Sequence, residues 1–255
     1  MRVVKIGGRA QADARLAQVV WQAWSESPGD LCLVHGGGDE ISAMQRALGR
    51  EAAFVGGRRV TSEGDLDLLR MVLSGIVNKR LVNSLVTAGV PAIGLSGEDG
   101  GLIRAEFIDA ASLGFAGRPT GIDAEILRTL TAARYLPVIS PVAYNASGGT
   151  GGPINVNGDD AAAAIAVGLK AEELLLIADV EGVRDESGDV ISSLSCEAAR
   201  ELIASGIAGG GMAAKLESAE SALLAGVTRV RVSDLEALGD ESRGTFITQS
   251  QSVAI

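Results

Sequence analysis

The sequence predicts an α/β protein whose mainly parallel sheet is covered by helices on both faces. Two observations carry that expectation. Short apolar runs rich in strand-forming residues alternate along the chain with longer stretches of helical spacing, which is the pattern of successive βαβ units. The segment "LCLVHGGGDEIS" at 31–42 adds a strand, a glycine bend and a helix start, the junction found at the carboxyl ends of parallel strands. In chain order the strands fall at 3–6, 31–34, 92–95, 138–141, 174–178 and 230–233. The helices fall at 13–25, 39–48, 62–88, 122–134, 159–169, 197–205 and 212–225. Helix 39–48 places Ile41, Met44 and Leu48 on one face and stops at Gly49. Thr61 or Ser62 caps the start of 62–88, with Glu63 and Asp65 in the first turn. The glycine-dense "ASGGTGGP" at 146–153 reads as a loop or hairpin joining two lobes.

A chain of 255 residues buries a substantial core as one large α/β domain or two lobes. Its 47% hydrophobic and 21% charged residues are those of a globular protein. A formal charge of −10, with no Lys/Arg cluster, argues against a partner bound through nucleic-acid phosphates. Cys32 and Cys196 show neither a CxxC nor a Cys/His spacing, so no disulfide or zinc site is expected, and no metal ligands are assigned. No apolar run reaches membrane-spanning length and no secretory leader is apparent. The expectation is a cytoplasmic protein with no membrane partner.

Several residues resist a purely structural reading. The glycines of "HGGG" clear side chains where an anion can approach backbone N–H groups. Lys5 interrupts the first strand, "RVVKIGG", where a strand covered on both faces is apolar; it either snorkels to water or meets an anion above Gly7 and Gly8. Lys215, in "GGGMAAKLESAE", sits near a helix start that is already electropositive. The spacing there is not GxxxxGK[ST], and "KIGGRAQ" is not GxGxxG, which excludes a P-loop and weakens a dinucleotide site. In "NVNGDD" at 155–160, Asn155 and Asn157 alternate along an extended segment, and Asp159 and Asp160 follow at a helix start where capping accounts for one acid. Arg58 and Arg59 precede helix 62–88, and an arginine fork suits a carboxylate ligand.

Taken in order, "VVKIGG", "VHGGG", "RRVT", "VNKRLV", "GLSGEDG", "NVNGD", "IADVEGV" and "GMAAK" resemble the amino-acid kinase family over nearly the whole chain. The resemblance implies a three-layer αβα sandwich in two lobes. Residues 1–150 are then an amino-terminal lobe for the acyl acceptor and for dimerisation, and 151–255 a carboxy-terminal lobe for ATP and Mg²⁺, the ion held mainly by the ATP phosphates. By the same resemblance Lys5 and Lys215 stabilise the transferring phosphoryl group and Asp159 orients both. Gly36 and Gly37 supply backbone donors, Arg59 takes the acceptor α-carboxylate, and Asn155 makes a second acceptor contact. Gly8 lies near the phosphates, while Asp179, Val180, Glu181, Gly182, Val183 and Arg184, with Ile207, Ala208 and Gly209, match stretches around the nucleotide. The motifs are most like those of members that phosphorylate the side-chain carboxylate of N-acetyl-L-glutamate.

The residue chemistry agrees with that activity. A carboxylate is already deprotonated at neutral pH, so its attack on phosphorus needs no general base. What opposes the reaction is repulsion between anions, roughly 4–5 kcal/mol per charge pair at about 3.5 Å and an effective dielectric of about 20. Lysines, glycine N–H groups and helix N-termini offset it. Ala178 departs from the family, where Ser or Thr is common before the aspartate, and removes a hydroxyl near the nucleotide. Arginine-inhibited relatives carry an additional amino-terminal helix, so a homodimer without arginine feedback is expected. A related kinase acting on aminoadipate or glutamate linked to an acidic carrier protein would need a basic docking surface, which a charge of −10 disfavours. A silent amino-acid or nucleotide sensor would have no use for two lysines aimed at a phosphoryl group.

Overall fold

The structure is a computed structural model that describes residues 1–147 and 151–249, apart from the side chain of Arg9. Of the predicted 146–153 junction, 148–150 therefore lie outside the described residues. The strands are β1 (Arg2–Ile6), β2 (Leu31–His35), β3 (Phe54–Val55), β4 (Arg58–Arg59), β5 (Ala92–Gly97), β6 (Ile103–Phe107), β7 (Ala116–Ile122), β8 (Leu136–Asn145), β9 (Pro153–Val156), β10 (Glu173–Ile177), β11 (Ser193–Ser195), β12 (Arg229–Ser233) and β13 (Thr245–Thr248). The helices are α1 (Leu16–Glu26), α2 (Gly38–Ala47), α3 (Glu63–Leu69), α4 (Asn78–Thr87), α5 (Ala110–Leu113), α6 (Glu125–Ala132), α7 (Gly158–Leu169), α8 (Cys196–Ala204) and α9 (Gly210–Leu224).

One sheet runs β11-β13-β12-β10-β1-β2-β8-β6-β7-β9, with β5 also paired to β8. Its centre, from β12 through β10, β1, β2 and β8 to β5, is parallel, and the antiparallel pairs lie toward the margins. Alternate side chains of the central strands go to opposite faces. Val3, Cys32, Val34, Leu174 and Leu176 pack under the small residues of α7 and the apolar face of α9. Val4, Ile6, Leu31, Leu33, Leu175 and Ile177 pack under α1 and α4. The result is the helix–sheet–helix sandwich expected from the alternation in sequence. A third cluster joins Ile41 of α2 to Leu68, Leu69, Val72, Leu73, Val77 and Val142.

The six predicted strands are all present, and several further strands escape the sequence reading. β3, β4 and β11 are only two or three residues long, too short to show a period. β7 reads "AGRPTGI", and its Pro119 and glycines look like a loop; the register shift beside it in β6 is the kind of irregularity that admits proline. The predicted helix 122–134 begins only at Glu125, because Ile122 is still paired with Ile103 in the sheet. The predicted helix 62–88 is continuous in path, but Arg70–Val77 is π-helical. An i→i+5 stretch advances the side chains past the ordinary helical register, and here Ser74 meets Ser140 at 2.7 Å while Asn78 meets His35.

At the amino-terminal end of the sheet, Arg231 and Glu173 are fully buried together, Nε to Oε1 at 2.6 Å. The other guanidinium nitrogens of Arg231 donate to the carbonyls of Ala237, Asp240 and Arg243, fastening the turns after β12 to the sheet. Glu173 Oε2 has no hydrogen-bond partner among the described residues. Arg231→Met is therefore expected to leave a buried carboxylate with only the half-exposed Arg229 beside it, at a cost of about 3–5 kcal/mol in urea unfolding. Replacing both residues, Glu173→Leu with Arg231→Met, is expected to recover much of that loss; equal losses would contradict the assignment.

Candidate active site

Lys5 shares a sheet face with Val3, so its side chain rises toward α7 and α9 at the carboxyl end of β1. There the first turn of α7 presents Asp159 and the second turn of α9 presents Lys215. Lys5 Nζ lies 3.0 Å from Asp159 Oδ1, and Lys215 Nζ lies 3.1 Å from Oδ1 and 3.3 Å from Oδ2. Lys5, Asp159 and Lys215 are only 7, 4 and 8% exposed. Burial alone would raise the Asp159 pKa, but the charges and hydrogen bonds of the two lysines hold it below the usual carboxylate range. For Lys215, burial and then the Lys5 charge lower the pKa to about 8 against the opposing pull of Asp159. Two ammoniums and one carboxylate leave a buried excess of positive charge. Asp159 does not cap its helix; Asn157 does, accepting from the Asp159 N–H at 2.8 Å.

These groups form the floor of a cleft of about 580 Å³. One wall is the bend after β2. Gly36 lines the cleft, yet its N–H is spent on the Ile6 carbonyl at 3.1 Å, so the backbone donor expected of Gly36 is already in use. The N–H groups of Gly37 and Gly38 have no partner among the described residues, and no side chain caps α2. Gly38 was missed in the sequence, and only the strand-end hydrogen bond tells which glycines of the run remain free. Gly7 approaches closely: a Cβ there would stand 2.9 Å from Lys5 Nζ, so a side chain would fill the space above the lysines. Gly8 follows at a positive φ of 38°.

The two adjacent arginines part company. Arg58 Nη1 donates to Asp160 Oδ2 at 2.6 Å, and Asp160 Oδ1 accepts from Ser218 of α9, which gives Asp160 a structural role. Arg59 has no carboxylate at salt-bridge distance among the described residues. Its Nη1 donates to Gln45, and its Nη2 to Ser42 and the Gly38 carbonyl, while its plane lies over Phe54. Gln45 is itself held by Asp65, which completes the capping box with Ser62. A rigid, largely buried guanidinium without a counter-ion suits an incoming carboxylate. Asn155 lines the same cleft, donating to Thr61 Oγ1 at 2.8 Å.

Asp179 and Val180 also line the cleft. Glu181, Gly182, Val183 and Arg184 run on past it: Val183 N–H donates to Thr245, and Glu181 pairs with Arg243. Ile207, Ala208 and Gly209 precede α9, whose amino terminus no side chain caps; they do not line this cleft. Among the described residues there is no group of three or more His, Cys, Asp or Glu placed to hold a metal ion, and no helix long and apolar enough to cross a membrane. Cys32 and Cys196 are buried free thiols.

Residues 1–234 match the family model described as the amino acid kinase family. The chain is 42% identical over 269 residues to an acetylglutamate kinase of Symbiobacterium thermophilum, covering 97% of this chain and 91% of that protein. It is 40% identical over 263 residues to an acetylglutamate kinase of Cereibacter sphaeroides, covering 98% and 88%. A crystal structure of a Streptococcus mutans protein superposes with a TM-score of 0.86 at 30% identity, each chain covered to 98%. The chain belongs to the amino acid kinase family, and it is a kinase. The helix–sheet–helix architecture expected from the sequence is the one found.

With the Lys215 ammonium titrating at about 8, kcat/KM for nucleotide is expected to fall as pH rises through that value, because only the charged form attracts phosphate. Bound nucleotide stabilises the charge, so the same ionisation seen in kcat should lie higher. A kcat/KM profile flat across this range would contradict the placement of Lys215.

Proposed function

We propose that this chain transfers the γ-phosphoryl group of ATP to the side-chain carboxylate of N-acetyl-L-glutamate, giving an acyl phosphate. The observation that carries the reading is the buried Lys5–Asp159–Lys215 cluster, set in one cleft with Arg59, which has no carboxylate at salt-bridge distance among the described residues. It is supported by about 40% identity to acetylglutamate kinases.

Arg59 takes the acceptor α-carboxylate, and Asn155 makes a second contact with the acceptor. Residues 1–150 form the acceptor lobe. Residues 151–255 form the nucleotide lobe, with Asp179 and Val180 in the cleft and 181–184 and 207–209 continuing the nucleotide surface. Gly8 and the uncapped start of α9 lie beside the phosphates. The donor set fits a phosphate chain: two lysines, backbone N–H groups and, among the described residues, no carboxylate cluster, so Mg²⁺ would be carried mainly by the nucleotide and would screen the phosphate charge. One acceptor carboxylate oxygen attacks the γ-phosphorus in line, and the bond to the β–γ bridging oxygen breaks with its electron pair leaving on ADP. No proton moves, so no base is needed. Lys5 and Lys215 lie where charge accumulates during transfer, and Asp159 fixes both without matching their combined charge. The same resemblance supports a cytoplasmic homodimer, and exposed Met71 and Ile76 on the π-helical stretch offer apolar surface for it.

The test is ATP-dependent hydroxamate formation with hydroxylamine, offering N-acetyl-L-glutamate, L-glutamate, L-aspartate and N-acetyl-L-aspartate in parallel. A strong preference for N-acetyl-L-glutamate is the expected outcome. No product from any of them, with ATP still bound, would turn the reading toward a carrier-linked acceptor. Lys215→Ala is expected to weaken ATP binding and nearly abolish turnover; near-wild-type turnover would overturn the mechanism. Arg59→Lys removes the planar fork and should raise the acceptor KM at least about tenfold, leaving the nucleotide KM nearly unchanged.

A further inference from the structure

The sequence holds a single histidine, and the transfer as proposed makes no use of it. We propose that His35 is a positioning residue that turns the Gly37 N–H into the cleft as a donor to the transferring phosphoryl group. The inference rests on the phosphoryl-transfer reading above and deepens it.

His35 ends β2 on the face shared with Leu31 and Leu33, toward α4, and is fully buried. Its Nε2 lies 3.1 Å from Asn78 Nδ2, and its Nδ1 lies 2.8 Å from the Gly36 carbonyl. The orientation of the Asn78 amide is fixed by its other partners: Oδ1 accepts from Lys79 Nζ, and Nδ2 also donates to the Val138 carbonyl at 2.9 Å. Asn78 is thus the donor to His35 Nε2. The ring proton then resides on Nδ1 and is donated to Gly36 O. Burial, helped by Lys5, Arg80 and Lys79 and opposed by the Gly36 hydrogen bond, lowers the His35 pKa to about 4, so the neutral tautomer persists at ordinary pH.

The consequence lies one bond further on. In a planar trans peptide, C=O and N–H point in opposite directions, and the chain has no cis peptide among the described residues. Drawing the Gly36 carbonyl to the α4 face sends the Gly37 N–H to the other face, where Lys5, Asp159 and Lys215 stand. The flanking groups are anchored, Gly36 N–H on Ile6 O and Gly37 O on the Ile41 N–H. The intervening peptide joins two glycines, whose backbone freedom makes reorientation easy. His35 is the side chain that holds its carbonyl.

The experiment uses the untagged protein, in which His35 is the only ring to observe. With ¹⁵N-labelled histidine, the Nδ1–H tautomer is expected in the NMR spectrum near neutral pH; the Nε2–H tautomer or a charged ring would overturn the proposal. Kinetics supply the second arm. His35→Asn places an amide N–H near the Nδ1 position and is expected to keep kcat within about fivefold. His35→Gln, whose amide reaches instead toward the Nε2 position, should lose roughly 10- to 100-fold in kcat, the order of a lost transition-state donor, with acceptor KM and ATP affinity within about threefold. Equal kcat in the two variants would overturn the proposal, as would a loss confined to KM. Should the glutamine variant fail to fold, the asparagine variant decides with the tautomer: a kcat loss beyond about tenfold in a folded His35→Asn would overturn it. Absence of acyl phosphate with the wild-type protein would count against the proposed activity, whereas a wild-type protein active beside indifferent variants would count against His35 alone.

Discussion

Two buried ammonium groups share one carboxylate, and the rest of the structure is arranged around that fact. Lys5 and Lys215 would repel each other in a low-dielectric site, and Asp159 makes their approach tolerable without cancelling their charge. An anion entering the cleft would find attraction already assembled there, with little rearrangement of the protein needed. The cost of burying this charge falls on the fold. It is borne by a parallel sheet that brings the end of β1 and the starts of α7 and α9 to one point, and by glycines that leave room above it.

The same economy governs the polar groups nearby. Neighbouring residues of α7 face different ways: Asp159 into the cleft, Asp160 toward Arg58 and Ser218. That second network ties the β3–β4 hairpin to α7 and α9, so the strand carrying Arg59 is fixed relative to the lysines. Arg59 is in turn held by Gln45, Ser42 and a backbone carbonyl, none of them charged, and its positive charge remains available for a ligand. Of two adjacent arginines, one is paired with a carboxylate of the architecture and the other has only uncharged hydrogen-bond partners among the described residues.

Much of this was legible in the chain. The alternation of short apolar runs with helical segments identified the parallel centre of the sheet, because strands buried on both faces need apolar residues and their connecting helices need an apolar stripe. Lys5 stood out because a lysine has no place in such a strand, and Lys215 because a helix start disfavours a cation. The marginal strands were not legible. β7 pairs with β6 over an irregular register and carries proline and glycine in its own run, so the local composition of β7 pointed to loop while cross-strand pairing made strand.

What the sequence by itself determined was the architecture and the chemical types at the site: lysines, a helix-start aspartate, glycine bends and an arginine pair, each marked by its conflict with local preference. Only the tertiary structure decided which of them act together. It separated Arg58 from Arg59 through partners a hundred residues away in the chain, as in the Arg58–Asp160 ion pair. It gave the Gly36 N–H to Ile6 and left those of Gly37 and Gly38 without a partner among the described residues, and it set the His35 ring between the Asn78 amide and the Gly36 carbonyl. Residue type and spacing fix what a group can donate or accept. Whether that capacity is already satisfied depends on contacts between segments distant in sequence, and those exist only once the sheet and its two helical layers have closed.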